Sequence, residues 1–133
     1  KNTGGGGGSG IEGEIIQLIN QRRGQDGLLA LSYNAALTQA ARRQSRDNSR
    51  RGSEGECSHT GSDGSDFVRR SSEAGYNAFG VTVGCGHSSA QSIVDAWWNS
   101  PPHKAILTNA SIKVIGVGWA QDKHSAQTAL VGF

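Results

Sequence analysis

Apolar residues recur at helical intervals from residue 11 onward. Ile11, Ile15, Leu18, Ile19 and Arg22 follow the three- and four-residue spacing and Ile16 widens the stripe, which predicts a helix over 11–23. Gly24 and Gly27 end it. A short apolar link, 28–31, leads to Asn34, a residue type that caps helices by offering a side-chain oxygen to the first free N–H groups. A second helix is expected from there to about residue 51, burying Leu37, Ala40, Ala41 and Gln44 and stopped by Gly52 and Gly55. Residues 62–65 read as a turn, 66–74 as a short helix ended by Gly75, and 79–83 as a strand of loose alternation. Ser88 or Ser89 starts a strong helix through Ile93, Val94, Ala96 and Trp97, which Pro101 and Pro102 break. Residues 112–120 and 127–133 are expected as strands joined by a turn at 122–125, antiparallel to each other. No internal repeat occurs. Helices and strands interleave without regular βαβ spacing, so the pattern favours an α+β or layered α-β-α domain over a doubly wound sheet.

Composition narrows the class. A chain of 133 residues fits one domain able to bury a core, and no apolar run is long enough to span a bilayer. The chain holds no Met, which fits a processed N-terminus left after removal of a signal peptide. Two cysteines, Cys57 and Cys85, in a Gly- and Ser-rich chain suit a disulfide in an oxidising compartment. Residues 1–10 (Lys1 to Gly10), KNTGGGGGSG, form an arm with no side chains to bury. It is either a linker or a strand added to a neighbouring chain, so the organisation is an arm over 1–10 and a domain over 11–133. The net charge of +2 does not by itself imply nucleic acid. The second helix is nonetheless loaded with Arg42, Arg43, Arg46, Arg50 and Arg51. These make either a solvated face or a contact for an acidic partner such as an anionic polymer, a lipid head group or a neighbouring subunit. No aromatic residues interleave them, so single-stranded nucleic acid is not indicated.

Three segments carry the candidate chemistry: Cys57-Ser58-His59-Thr60-Gly61, Gly84-Cys85-Gly86-His87 and Asn99-Ser100-Pro101-Pro102-His103. They sit within an ordered series of motifs: Ile19-Asn20-Gln21-Arg22-Arg23, Leu31-Ser32-Tyr33-Asn34-Ala35-Ala36-Leu37, Ser58-His59-Thr60-Gly61-Ser62-Asp63-Gly64, Ala74-Gly75-Tyr76-Asn77, Val94-Asp95-Ala96-Trp97-Trp98 running on to His103, and Ile115-Gly116-Val117-Gly118. Taken in order, this series resembles the bacterial branch of the CAP superfamily (cysteine-rich secretory proteins, antigen 5 and pathogenesis-related 1 proteins), also called SCP-like extracellular domains. The resemblance implies a three-layer α-β-α sandwich and a secreted or cell-surface location. It also implies a cleft where His59 and His103 meet acidic partners. Many members hold a divalent metal such as zinc there, several bind sterols or fatty acids, and protease activity has been suggested for some.

This chain departs from the pattern. Gly80-Val81-Thr82 aligns with the family's Gly-Glu-Asn, so Val81 replaces the cleft glutamate. The second acidic position has Asp95 as its nearest candidate, Gln44 stands where many relatives have a histidine, and Cys57 replaces an aromatic residue. General acid–base work needs a carboxylate or imidazole within reach of the reacting proton, and an imidazole needs a group to fix its tautomer. Val81 supplies neither, so the sequence argues against an enzyme. The expectation is a non-enzymatic secreted domain binding a small apolar, lipid-like ligand or a surface partner through a cleft of His59, His103, Ser58, Thr60, Val81 and Trp98. It requires no cofactor, although His59 and His103 could ligate a metal. The alternatives are a structural subunit of an extracellular assembly held by the arm, and a degenerate hydrolase using the two histidines.

Cys57, His59, Cys85 and His87 also allow a Cys2His2 metal site, which excludes a Cys57–Cys85 disulfide because a ligating sulfur must be thiolate. His87 and His124 otherwise read as surface residues. Of the adjacent Trp97 and Trp98, either one is in the core and the other exposed near the Pro101-Pro102-His103 turn, where it could anchor an apolar ligand or an interface, or both are packed. Asn109-Ala110-Ser111 is a glycosylation sequon.

Overall fold

The structure is a computed structural model that describes residues 10–51, 78–121 and 125–133. The expected arm at 1–9, the turn and short helix within 52–77, and the residues Cys57, Ser58, His59, Thr60 and His124 lie outside the described residues.

The elements run α1 (Gly10–Gln25), β1 (Ser32–Tyr33), α2 (Ala35–Arg51), β2 (Ala78–Cys85), α3 (Ala90–Trp98), α4 (Pro101–Leu107), β3 (Val114–Gln121) and β4 (Ser125–Gly132). The strands form one sheet of order β1-β3-β4-β2. The β3–β4 and β4–β2 pairs are antiparallel, and the two-residue β1 pairs with β3 in parallel. Register places Val81, Leu130 and Gly116 side by side, and Val83, Thr128 and Gly118 beside them. Strand alternation therefore gives these six positions one face.

That face carries α2. Leu37, Ala40, Ala41, Val81, Val83 and Leu130 make its buried cluster. The helix lies so close that a methyl group at Gly118 would sit 2.5 Å from the backbone of Ala41 and Arg42. A methyl at Gly116 would meet the backbone of Leu37 and Thr38. Ser45 Oγ, fully buried, donates to the Gly118 carbonyl at 2.9 Å and lies 2.7 Å from Thr128 Oγ1. The opposite face carries α1 and α3. Ile15, Ile16, Ile19, Ile93, Val94 and Trp97 pack there against Ile115, Val117, Ala129 and Val131. The molecule is an α+β sandwich of three layers: α2, the sheet, and α1 with α3 and α4.

Local chemistry sets the helix ends. Asn34 Oδ1 accepts the Leu37 N–H at 2.9 Å, and Ser89 Oγ accepts that of Ser92 at 3.1 Å. Gly27, at φ 77, turns the chain away from α1 in a region that a side chain disfavours. Two residues of the first motif then fasten distant segments to α1. Asn20 makes a two-way clamp on Leu31, donating from Nδ2 to its carbonyl at 3.1 Å and accepting its N–H at 2.8 Å. Arg23 is 1 % exposed, and its guanidinium donates to the carbonyls of Leu29, Leu107 and Asn109 at 2.9, 2.9 and 3.1 Å. Leu107 ends α4, so the cation sits at the negative pole of that helix. The motif that carries the family resemblance at this end of the chain is thus a structural clamp joining α1 to the link and to α4.

Candidate functional site

Pro101 and Pro102 occupy the first two positions of α4, where a missing N–H costs nothing, and Ser100 ahead of them is extended. They start a helix as well as ending the one before. His103 is therefore the third residue of α4; it is half-buried and held by its surroundings rather than free. Ile106, one turn on, covers Gly80 of β2, where a Cβ would come within 3.0 Å of it. This seats α4 against the end of the sheet.

Trp97 is the core member of the pair, and Trp98, instead of standing exposed, packs partly against the same cluster. Trp97 is 1 % exposed and donates from Nε1 to the Val83 carbonyl at 3.2 Å. Trp98 is half-buried, and the Arg22 guanidinium lies over its ring, 5.6 Å from the centroid. Arg22 also pairs with Asp95, whose carboxylate accepts a further hydrogen bond from Gln91 Nε2 at 2.9 Å. The Arg22 hydrogen bond, helped by Gln91, holds the Asp95 carboxyl below its ordinary range against the opposing effect of desolvation. A carboxyl depressed in the folded state stabilises the fold above its unfolded pKa, and that contribution disappears as pH falls through the lower folded value. An NMR titration of Asp95 should give a midpoint below the usual 3.8, and Arg22→Gln should move it upward. An unchanged midpoint in the variant would show that Arg22 is not the cause.

Of the remaining expected cleft positions, Val81 alone is described. Val81 is 5 % exposed and packs with Leu37, Ala40 and Ala41 of α2. Its neighbour Gly80 faces Ile106, so alternation turns Val81 to the other side of the sheet. Gln44, at the position of a histidine in many relatives, is 2 % exposed on the α2 face. His59, Ser58 and Thr60 are outside the described residues, as is Cys57, so neither the disulfide nor the Cys2His2 set is described; Cys85 closes β2 and is engaged rather than free. Asp95 is committed to Arg22, and among the described residues no three His, Cys, Asp or Glu side chains come together.

Two arrangements were not expected. His87, read as a surface residue, is half-buried, with Nδ1 2.7 Å from Ser92 Oγ in the first turn of α3. Ser125 Oγ donates to its carbonyl at 2.7 Å, which ties the residue to β4 as well. At the other end of the molecule, Glu12 is 4 % exposed and accepts from Arg42 Nε and from Arg42 Nη2 at 2.6 Å, while its second oxygen accepts the Trp119 N–H at 3.0 Å. The Glu12 hydrogen bond raises the Arg42 pKa. Thirty and 107 residues separate these partners, so no local pattern in the sequence joins them.

Comparison with known proteins agrees with the architecture. The profile of the "CAP: Cysteine-rich secretory protein family" matches residues 16–132. The chain is 29 % identical over 114 residues to the protein YkwD of Bacillus subtilis, covering 85 % of this chain and 44 % of that protein, so it spans less than half of that relative. Among solved structures, an outer surface protein of Borrelia burgdorferi superposes with a TM-score of 0.74 at 23 % identity over 90 % of this chain and 89 % of its own. An extracellular protein containing an SCP domain from Bacillus anthracis gives 0.75 at 23 % identity, over 88 % of this chain and 39 % of that one. At these identities the superpositions speak for the fold. No described helix is long and apolar enough to cross a membrane.

Proposed function

Because this chain belongs to the cysteine-rich secretory protein (CAP) family, we propose that it works outside the cell as a binding domain rather than as an enzyme. Its ligand is a small apolar, lipid-like molecule or a surface partner, taken up at His103 and Trp98. The observation that carries the reading is the fate of the two acidic positions. Val81 has no carboxylate and packs under α2, and Asp95 is neutralised by Arg22. Neither of these two positions offers a carboxylate free to act as a general acid or base. What remains is an aromatic face, half-buried, with a cation across it, which suits the apolar body and polar head of an amphiphile. The extracellular and outer-surface descriptions of the Bacillus anthracis and Borrelia burgdorferi proteins support the location.

Titration with a fluorescent polyene fatty acid tests this. Saturable binding is expected, weakened about ten-fold in Trp98→Ala, which is roughly 1.4 kcal/mol. Ester and peptide hydrolysis should stay at background in both the parent protein and His103→Ala. Absence of saturable binding, or binding indifferent to Trp98, overturns the apolar-ligand reading; hydrolysis lost on changing His103 overturns the non-enzymatic one.

A further inference from the structure

Arg42, Arg46 and Arg50 follow one another at four-residue steps along α2, so they share a face with about 6 Å of rise between neighbours. Like charges so placed repel, and two of the three are answered. Arg42 is clamped by Glu12. Arg50 pairs with Asp47 at 3.1 Å. Arg46, between them, is exposed, and no carboxylate among the described residues pairs with it. All three line a cavity of about 480 Å³ together with the half-buried Trp119 of β3 and the buried Glu12. The carboxylate there is already saturated by Arg42 and the Trp119 N–H. It fixes the arginine and the strand in place and leaves the remaining charge of the lining positive.

We infer that this cavity is a second binding site, independent of the Trp98 region, for a phosphorylated sugar or polyol. The phosphate sits on Arg46, flanked by Arg42 and Arg50, and the carbon face of the sugar or polyol lies on Trp119. The chemistry selects that class. Guanidinium forks match phosphate oxygens in geometry and charge, and the volume is in the range of small-molecule pockets. An indole at the wall offers an apolar plane that inorganic phosphate would not use. Two of the guanidiniums are held by carboxylates before any ligand arrives, so little ordering is needed to bind. The same chemistry is found on a free phosphosugar and on a lipid head group.

Calorimetric titration with glucose 6-phosphate, with glucose as control, and sedimentation with vesicles of phosphatidylglycerol in phosphatidylcholine test the site and separate those two sources. Saturable binding of glucose 6-phosphate is expected below about 10 mM, with none of glucose. Arg46→Glu should abolish it and Trp119→Phe weaken it severalfold. Arg46 is exposed and Trp119→Phe keeps an aromatic ring, so circular dichroism should confirm that both variants are folded. If only the phosphatidylglycerol vesicles bind, and Arg46→Glu prevents it, the ligand is the head group and the site stands. Failure of both probes to bind the parent protein, equal binding of glucose, or binding unaffected by Arg46→Glu overturns the inference. The Trp98→Ala variant should bind glucose 6-phosphate normally, so that failure of one site is distinguishable from failure of the other.

Discussion

Gly118→Ala is expected to destabilise the domain by about 3 kcal/mol or more, enough to leave little folded protein. The added methyl would lie 2.5 Å from the carbonyl carbon of Ala41 and the nitrogen of Arg42 and 2.6 Å from the Ala41 carbonyl oxygen. Those atoms belong to the backbone of α2 and cannot rotate aside as a side chain would. The helix has to lift, and lifting it opens the cluster of Leu37, Ala40, Ala41 and Leu130 and pulls Ser45 from the Gly118 carbonyl. Gly24→Ala provides the contrast. Gly24 lies in α1 with nothing within 4 Å of its would-be Cβ, and its φ is not positive. Alanine there should stabilise by roughly 0.5–1 kcal/mol through helix propensity. Urea unfolding of the two variants reads both effects. A loss below about 1 kcal/mol for Gly118→Ala would show that α2 is not seated on β3 at this distance.

Arg23→Met should cost about as much, by another route. The volume is nearly kept, so no large cavity forms, but the carbonyls of Leu29, Leu107 and Asn109 lose their donor. Hydrogen bonds from a charged donor contribute about 1.5–3 kcal/mol each, and orphaned buried acceptors add their own desolvation cost. A total loss of about 3 kcal/mol is expected. Arg23→Lys should recover only part of it, because one ammonium lacks the planar fork that spans two separate segments. Burial alone pulls the Arg23 pKa down. The carbonyls at the end of α4 are what make a cation tolerable there. Thermal melts of the two variants test the assignment. Equal melting temperatures for Met and Lys would mean that the side chain acts by filling space.

Helices and the closing hairpin could be read in the sequence because their signals are local. Asn34 caps α2 and its buried face includes the expected Leu37, Ala40, Ala41 and Gln44, to which the structure adds Thr38, Ser45, Asn48 and Ser49. The pair β3–β4 is antiparallel, displaced by one or two residues from the expected limits. Two elements escaped. β1 has two residues and exists because Ser32 and Tyr33 lie beside β3, a neighbour 82 residues away in sequence. α4 was hidden by its prolines, which read as the end of α3; their equal fitness for a first helical turn decides the matter only once a partner surface, Gly80 under Ile106, is present. The site was less legible. The ordered motifs locate His103 and Trp98, but they cannot show that Arg22 crosses from α1 to neutralise Asp95 and cover the indole. Nor can they show that Glu12 reaches Arg42 and the backbone of Trp119. The run of arginines on α2, open between a solvated face and an acidic partner in the sequence, resolves into Arg42 held by Glu12, Arg50 by Asp47, and Arg46 left to the solvent side of a cavity.

The strand order has a consequence for when the fold can exist. The two strands at the middle of the sheet, β3 and β4, are the last elements in the sequence, and β1 and β2 touch the sheet only through them. A ribosome delivers α1, α2 and α3 before the surface on which each must lie. Until the hairpin emerges, the apolar stripes of these helices have no sheet to cover, and short isolated helices are only marginally stable in water. Elongation at about 5–20 residues per second is slow beside the formation of a hairpin. Assembly of the described domain therefore waits on the β3–β4 hairpin, residues 114–132. A domain built in that order has no sheet for its helices to close on until its last hairpin is made, so its core forms all at once or not at all.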